Sequence, residues 1–307
     1  MNKLALPPKV RIVEVGPRDG LQNEPDRIST DDKIAFVNLL TYAGFSDIEV
    51  TSFVRPSRIP QLADATKVFQ GIHQVPGTRY SALVPNIRGL EDAFAAGVKT
   101  VAIFTGASET FTRRNINMSI DDSLTRFAVV ARRAVDAGLN VRGYISVVFG
   151  CPYEGQVDAG RVVEITKQLM DMGCYEISFG DTIGVAVPTQ IESVVTLLSD
   201  HIPLSRIALH LHDTRGGALA NVMTGLICGV TTFDTSAGGL GGCPYAPGAA
   251  GNLATEDLLY MLDGMGIETG VDLSRVVEAS RHISEVIGRP LPSKYLRAAL
   301  ARTNSVT

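Results

Sequence analysis

Two histidines, His210 and His212, stand two residues apart in the apolar segment Ile207-Ala-Leu-His-Leu-His-Asp-Thr-Arg215. The segment is typical of a β-strand, in which residues i and i+2 point to the same face. The two imidazoles therefore converge, as two ligands of a divalent metal would. Two core histidines satisfied by hydrogen bonds would show the same spacing, so the pair alone does not separate the two interpretations.

Charged residues follow or interrupt the first two apolar strands. Arg18 and Asp19 come directly after the first strand, where Asp19 offers an oxygen ligand and Arg18 a planar set of N–H donors for a developing oxyanion. A salt bridge within a surface loop would explain the same two residues. Glu49 lies inside the second strand, where burial of its carboxylate is costly unless a cation such as Arg18 pairs with it. An outward, solvated position is the alternative for Glu49.

A glycine-rich segment, Ala237–Asn252, follows the eighth apolar strand and carries Cys243. Such a loop lets backbone approach a ligand closely or closes as a lid. The Gly-Lys-Ser/Thr ending of a Walker phosphate loop is absent. A chemical role for Cys243 is our interpretation, with a small buried thiol as the alternative. Asn252 offers an amide oxygen to a metal.

The elements that must position these residues alternate between strand and helix. Apolar, β-branched runs predict eight strands, at 10–15, 47–53, 79–84, 99–104, 141–149, 175–179, 206–212 and 230–236. Helical patterns lie between them, the clearest at 32–44, 88–97, 121–138 and 160–173. Eight such units predict an α/β fold of the (β/α)8 TIM-barrel type. A doubly wound open sheet is the alternative, but no Gly-x-Gly-x-x-Gly motif follows the first strand.

The length of 307 residues suits one large α/β domain. We expect a single TIM-barrel catalytic domain over 1–307, with the barrel at about 8–264 and a C-terminal helical addition at about 265–303. The clearest added helix is predicted at 272–288. In such barrels the active site forms at the C-terminal ends of the strands. Further polar residues fall at these ends, namely Ser52, Arg113, Arg114, Asn115, Tyr144, Ser146, Ser178, Asp181 and Thr182. A solvated basic turn equally explains Arg113 and Arg114.

Composition excludes several classes of partner. The net charge is −4, with 20% charged residues, so nothing in the balance attracts nucleic acid or an anionic membrane surface. Apolar stretches stay well short of the ~18 residues that span a bilayer. The first residues lack the apolar core of a signal peptide, and four widely spaced cysteines suit a reducing compartment. We therefore expect a cytoplasmic protein that binds neither nucleic acid nor membrane.

Five separated motifs together resemble the 3-hydroxy-3-methylglutaryl-CoA lyase family, in its bacterial type. That family lies within a wider barrel superfamily that includes isopropylmalate synthase and related aldolases. The resemblance runs from Val10 to about Leu262. It rests on EVGPRDGLQNE (14–24), GCPYEG (150–155), GCYEISFGDTIGV (173–185), HLHDT (210–214) and GGLGGCPYAPGAAGNLATED (238–257).

The resemblance implies roles for individual residues. It implies a divalent metal, Mg²⁺ or Mn²⁺, held by Asp19, His210, His212 and Asn252, and an enolate stabilised by Arg18. Cys243 matches the family's loop cysteine. Acidic residues around the site would be Glu49, Asp181 and Glu256, and residues lining the substrate pocket would be Ser52, Asn115, Tyr144, Ser178 and Thr182. A homodimer is also implied.

The activity that the resemblance implies is cleavage of 3-hydroxy-3-methylglutaryl-CoA to acetoacetate and acetyl-CoA. His210 or Asp19 would accept the hydroxyl proton, and Cys243 would protonate the enolate. Two alternatives stay open at this stage. One is a lyase for a bulkier 3-hydroxyglutaryl-CoA, such as an isoprenoid-degradation intermediate. The other is a non-catalytic barrel that binds an acyl-CoA.

Overall fold

A computed structural model describes residues 5–242 and 251–304 of the chain. Eight parallel strands form a closed barrel in chain order, in which the last strand pairs with the first. The (β/α)8 TIM-barrel prediction is confirmed. The strands are β1 (Arg11–Glu14), β2 (Asp47–Ser52), β3 (Arg79–Leu83), β4 (Thr100–Gly106), β5 (Asn140–Ser146), β6 (Glu176–Asp181), β7 (Ile207–Leu211) and β8 (Thr232–Thr235).

Helices cover the outside of the barrel, so apolar strand residues are buried on both faces. In chain order they are α1 (Thr30–Tyr42), α2 (Ala65–Gly71), α3 (Ile87–Ala95), α4 (Glu109–Ile116), α5 (Ile120–Asp136), α6 (Ala159–Asp171), α7 (Pro188–Ser199), α8 (Ala218–Ile227), α9 (Thr255–Gly264), α10 (Leu273–Ile287) and α11 (Lys294–Asn304). A π-helical turn, Gly16–Gly20, follows β1. Glycine ends several helices as predicted, for example Gly97 (φ 91°) after α3 and Gly173 (φ 94°) after α6.

Two segments differ from the sequence-based expectation. The fifth strand was predicted to run to residue 149 but ends at Ser146, because the next residue, Val147, has a left-handed backbone with φ 56°. Arg113 and Arg114 do not lie in a turn. They belong to α4, whose N-cap Ser108 accepts a hydrogen bond from the backbone N–H of Phe111.

The barrel interior is partly polar. Several charged side chains on the strands are almost fully buried, among them Glu49, Arg142, Glu176 and Asp234. Because burial of an unpaired charge is costly, these residues must be neutralised by one another. The interior therefore provides a charged floor beneath the C-terminal rim, where the predicted site residues lie.

The helices after the barrel pack back against it. The expected helix at 272–288 is observed as α10, which contacts α1, and α11 contacts α9. No helix within residues 5–242 and 251–304 is both long and apolar enough to cross a bilayer.

Candidate metal centre and active site

Three potential metal ligands meet at the C-terminal rim of the barrel. Asp19 comes from the π-helical turn after β1, His210 from β7, and His212 from the residue after the end of β7. The ligand atoms of the three side chains all lie within 4.8 Å of one another. The Nε2 atoms of the two histidines are 3.2 Å apart, and Nε2 of His210 is 3.9 Å from Oδ2 of Asp19. The strand geometry thus makes the imidazoles converge as the sequence predicted.

These residues fit a divalent cation. Burial and the neighbouring His210 lower the pKa of His212 to about 3, so His212 is neutral and keeps a lone pair to donate. Burial opposes ionisation of Asp19, but the Arg18 guanidinium and His210 outweigh it and lower the pKa of Asp19 to about 2. Two imidazole nitrogens and an ionised carboxylate form a donor set typical of Mn²⁺, Zn²⁺ or Mg²⁺ sites.

Asn252 reaches the same cluster from beyond β8. An isolated β-bridge pairs it with His212, and its amide N–H donates to Oδ2 of Asp19 (2.8 Å) and to the carbonyl of Leu240 (3.0 Å). The amide nitrogen of Asn252 therefore faces Asp19 in this structure, where the sequence analysis expected the amide oxygen to face a metal.

Arg18 is buried beside the cluster, with 6% of its surface exposed. Its Nη2 donates to Oε2 of Glu49 at 3.1 Å, its Nη1 donates to Asp19, and its guanidinium carbon lies 5.6 Å from the centre of the Tyr144 ring. Burial opposes the charge of Arg18, but the carboxylates of Glu49 and Asp19 outweigh it and raise its pKa. Glu49 is fully buried. A surface salt bridge and a solvated Glu49, the two alternatives considered from sequence, are both excluded.

A cavity of about 540 Å³ opens over this cluster. Arg18, Asp19, His210 and His212 line it, together with four of the residues predicted to contact substrate, Ser52, Asn115, Tyr144 and Thr182. The Ser52 hydroxyl is buried and has no hydrogen-bond partner among the described residues. The same cavity is therefore lined by a hydroxyl group without a hydrogen-bond partner, by the guanidinium of Arg18 and by the cluster of potential metal ligands.

Exposed arginines line the mouth of the cavity. They are Arg55, Arg58, Arg114 and Arg126, which lie in the segment after β2, on α4 and on α5. Of these, sequence reasoning selected only Arg114, because the other three stand in segments without a recognisable motif. Together they make the entrance strongly basic in a chain of net charge −4.

Asp181 and Glu256, predicted to act at the site, do not line the cavity. The Asp181 carboxylate accepts the backbone N–H groups of Val185 (2.9 Å) and Ala186 (3.0 Å), in the turn after β6. Both carboxylate oxygens of Glu256 accept the N–H of Gly238 at 2.9 and 3.0 Å. Both residues are buried beneath loops. They hold backbone in place, and no contact with a ligand in the cavity is open to them in this structure.

A buried polar network lies below the cavity. Three of its members, Glu49, Tyr144 and Ser178, were predicted from the sequence as site residues, whereas Arg142 and Asp234 were missed. Tyr144 donates to Glu49 at 2.6 Å, and Arg142 donates to Tyr144 at 2.7 Å. Arg142 also pairs with Asp234 at 2.7 Å, and Ser178 donates to Asp234 at 2.7 Å. Ser178 was predicted to line the substrate pocket, but it lies in the floor below the cavity. The sequence did carry a signal for this network, because a charged residue stands inside each of two otherwise apolar strands, Arg142 in β5 and Asp234 in β8.

Cys243 lies outside the described residues, so its predicted role has no structural counterpart here. The described cysteines, Cys151, Cys174 and Cys228, are free thiols.

Comparisons with known proteins agree with the geometry. The HMGL-like family profile matches residues 9–283. The human protein named hydroxymethylglutaryl-CoA lyase, mitochondrial, is 51% identical over 293 residues, which cover 95% of this chain and 90% of that one. The solved HMG-CoA lyase of Bacillus subtilis is 52% identical with a TM-score of 0.94, and the match covers 95% of this chain and 98% of that one.

A third relative was solved with ligands. The structure of an HMG-CoA lyase from Acinetobacter baumannii in complex with coenzyme A and 3-methylmalate is 36% identical to this chain, with a TM-score of 0.91. The match covers 94% of this chain and 95% of that one.

Proposed function

This chain belongs to the HMGL-like family, and we propose that it cleaves 3-hydroxy-3-methylglutaryl-CoA into acetoacetate and acetyl-CoA. The relatives that carry the name of this activity are about half identical over nearly the whole chain. The single structural observation that carries the proposal is the placement of Arg18 next to Asp19, His210 and His212 in one cavity. A permanent cation beside a metal-ligand cluster is what a reaction through an enolate needs.

We assign the metal to Asp19, His210, His212 and Asn252, with Mg²⁺ or Mn²⁺ as the ion. When bound, the ion supplies positive charge that favours loss of a hydroxyl proton. Asn252 would have to turn its amide oxygen toward the ion, which costs its present hydrogen bonds to Asp19 and Leu240. The ionised Asp19 and neutral His212 need no change of protonation to act as ligands.

The reaction removes the proton of the 3-hydroxyl group and breaks the bond between C2 and C3 of the substrate. The electron pair of the hydroxyl group forms the ketone of acetoacetate, and the pair of the broken bond becomes the enolate of acetyl-CoA. Of the two candidate acceptors, His210 has no lone pair left when its Nε2 holds the ion and its Nδ1 carries a proton, so we assign acceptance of the proton to Asp19, whose Oδ2 lies 3.9 Å from Nε2 of His210. Arg18 faces the enolate charge, which exists only after the bond begins to break, so its binding energy lowers the barrier.

Protonation of the enolate completes the reaction, and we assign this step to Cys243 in the loop after β8. Glu49 holds Arg18 in place, and Asp181 and Glu256 support the loops after β6 and β8. Ser52, Asn115, Tyr144 and Thr182 would surround the substrate, with Ser178 in the floor below. The arginines at the mouth offer positive charge to the phosphates of coenzyme A, the molecule bound by the Acinetobacter relative.

We further propose that the barrel (about 8–264) and the C-terminal addition (about 265–303) form one domain, since α10 packs on α1 and α11 on α9. A cytoplasmic location is supported by the free cysteines. A homodimer is proposed on the family resemblance, and its test is the molar mass of the purified protein in solution by light scattering.

The activity is tested with purified protein and a panel of acyl-CoA substrates. We expect acetyl-CoA to be released from 3-hydroxy-3-methylglutaryl-CoA when Mg²⁺ or Mn²⁺ is present, and not after treatment with a chelator. Preferential cleavage of a bulkier 3-hydroxyglutaryl-CoA would replace the substrate and keep the chemistry. Absence of cleavage of every substrate would overturn the proposal in favour of a non-catalytic barrel. In the same assay, a Cys243→Ser variant that cleaves at the wild-type rate would overturn the role of Cys243.

A further inference from the structure

The carboxylate of Asp234 lies below the cluster of potential metal ligands formed by Asp19, His210 and His212. Asp234 is on β8 and His210 on β7, and the two residues are register partners in the parallel pair. Register partners on neighbouring strands point to the same face, here the barrel interior. The Asp234 side chain is fully buried, and its Oδ2 lies 3.3 Å from Nδ1 of His210.

The two nitrogens of His210 have different surroundings. Its Nε2 faces His212 and Asp19, whereas its Nδ1 faces Asp234. A carboxylate on one ring nitrogen keeps the proton there and leaves the other nitrogen with a lone pair for a metal. Among the described residues, no carboxylate comes within ion-pair distance of His212. Asp234 can therefore set the orientation and the tautomer of one histidine only.

Asp234 is itself held rigidly. Arg142 donates to both of its oxygens, at 2.7 Å to Oδ1 and 3.1 Å to Oδ2, and Ser178 donates to Oδ2 at 2.7 Å. Arg142 is buried and is also fixed by Glu176 through a 2.8 Å contact. A carboxylate anchored at three points transmits a fixed position to the imidazole beside it.

We propose that Asp234 is a positioning residue that holds the His210 ring with Nε2 toward the metal. This role rests on the proposed function, because it requires the metal site that the function uses. It extends the site to Ser178 and Arg142, which would act on the metal through Asp234 and touch no substrate. Mutation of such outer partners typically lowers metal affinity by about 10–100-fold.

Glu176 offers a matched control. Like Asp234, it is a buried carboxylate that pairs with Arg142, but its second partner among the described residues is Arg11 and not a histidine. Loss of either charge leaves Arg142 with one carboxylate fewer. A general disturbance of the buried network would therefore affect Asp234→Asn and Glu176→Gln alike, whereas a positioning role predicts a difference between them.

The experiment measures binding of Mn²⁺ alone to the full-length protein, by electron paramagnetic resonance of free Mn²⁺ or by titration calorimetry, with thermal unfolding recorded for every variant. We expect Asp234→Asn to weaken Mn²⁺ binding about 10–100-fold and Glu176→Gln to change it less than about 3-fold. Equal loss in both variants, or no loss in either, would overturn the positioning role. Failure of the wild type to bind Mn²⁺ would instead overturn the metal site of the proposed function.

A second variant covers the case in which Asp234→Asn leaves too much uncompensated charge to fold. The double variant Arg142→Gln, Asp234→Asn removes both charges of the pair, and replacement of a whole buried pair is often tolerated. We expect the double variant to show the same loss of Mn²⁺ affinity, because His210 again lacks its carboxylate. Wild-type affinity in the folded double variant would contradict the proposal.

Discussion

At the scale of single residues, the site depends on a cation that cannot lose its charge and cannot move. Arg18 is enclosed by Glu49, Asp19 and the face of Tyr144, and Glu49 is in turn fixed by the Tyr144 hydroxyl. In the mechanism proposed above, this arrangement positions the guanidinium before substrate arrives, so no reorganisation would be needed when the enolate forms. A lysine would retain the charge but lose the planar pair of donors that matches Glu49.

Arg18→Lys is therefore expected to lower kcat by about 10²–10³-fold, the usual effect of losing one donor to a developing oxyanion. The variant should still bind Mn²⁺, because the three clustered ligands remain. The measurements are steady-state release of acetyl-CoA and Mn²⁺ titration. Arg132→Met, which alters an exposed arginine on α5, is the control and should keep wild-type kinetics. Near-normal turnover of Arg18→Lys would remove Arg18 from the mechanism.

At the scale of elements, buried carboxylates fasten the start of the loop after β8. Glu14 at the end of β1 accepts the N–H groups of Gly16 (2.8 Å) and Ala237 (2.9 Å), and it also accepts the Thr255 hydroxyl of α9 (2.7 Å). Glu256 binds the N–H of Gly238 from the other side. The backbone on which the Cys243 loop begins is thus held by side chains from β1 and α9, so these acidic residues contact the start of the loop and not the cavity.

Glu256 makes the stability of the protein depend on pH. Burial raises its pKa to about 7, so the folded state keeps a proton on Glu256 that the unfolded chain releases above about pH 4.5. The contribution of Glu256 to the free energy of unfolding is fully present below pH 4.5 and is lost as the pH rises to about 7. The loss amounts to about 3 kcal/mol at most.

Glu256→Gln removes this titration and keeps one oxygen to accept the N–H of Gly238. Between pH 4.5 and pH 8, the free energy of unfolding of the wild type should fall by up to about 3 kcal/mol more than that of the Glu256→Gln variant. Urea unfolding at both pH values measures the effect. Glu278→Gln on α10 serves as a control for a simple change of charge. Parallel pH profiles for wild type and Glu256→Gln would show that Glu256 titrates normally.

At the scale of the whole molecule, the segment between α10 and α11, together with the first residue of α11, connects the added helices to three loops of the rim. Arg289 pairs with Glu24 in the segment after β1, and the Ser293 N–H donates to the Gly238 carbonyl at 3.0 Å. Lys294 donates to Asp213, the residue after His212, at 2.9 Å. The C-terminal helices therefore do more than cover the barrel edge, because they tie together the loops that carry Arg18, His212 and Cys243.

Asp257 on α9 anchors this segment. Its carboxylate accepts the Ser293 hydroxyl at 2.8 Å and the N–H groups of Lys294 (3.1 Å) and Tyr295 (2.7 Å). Asp257→Ala should lower the free energy of unfolding by about 2–4 kcal/mol, because three donors lose a charged acceptor. Asp263→Ala, at an exposed position of the same helix, should change it by less than about 0.5 kcal/mol. Denaturant unfolding of the two variants gives the comparison, and equal stabilities would mean that Asp257 does not anchor the segment.

The periodic pattern of the sequence predicted the barrel and much of its site. Eight apolar runs separated by helices lead to a closed sheet, and the C-terminal ends of parallel strands then meet at one rim. Asp19, His210 and Asn252, which are far apart in the chain, are neighbours there because β8 pairs with β1. The conclusion needed the strand order expected of a (β/α)8 barrel and the period-two alternation of side chains, of which only the alternation is a local property.

The tertiary structure alone decided which polar residues face the cavity and which lie beneath it. Asp181 and Glu256 resemble catalytic acids in the sequence, yet they bind backbone N–H groups of loops. Asp234 and Arg142 lie in ordinary apolar strands, yet they stand behind His210. The reason is physical: a strand pattern specifies the face of a side chain, whereas its depth and partners depend on register across the barrel and on charges contributed by distant strands.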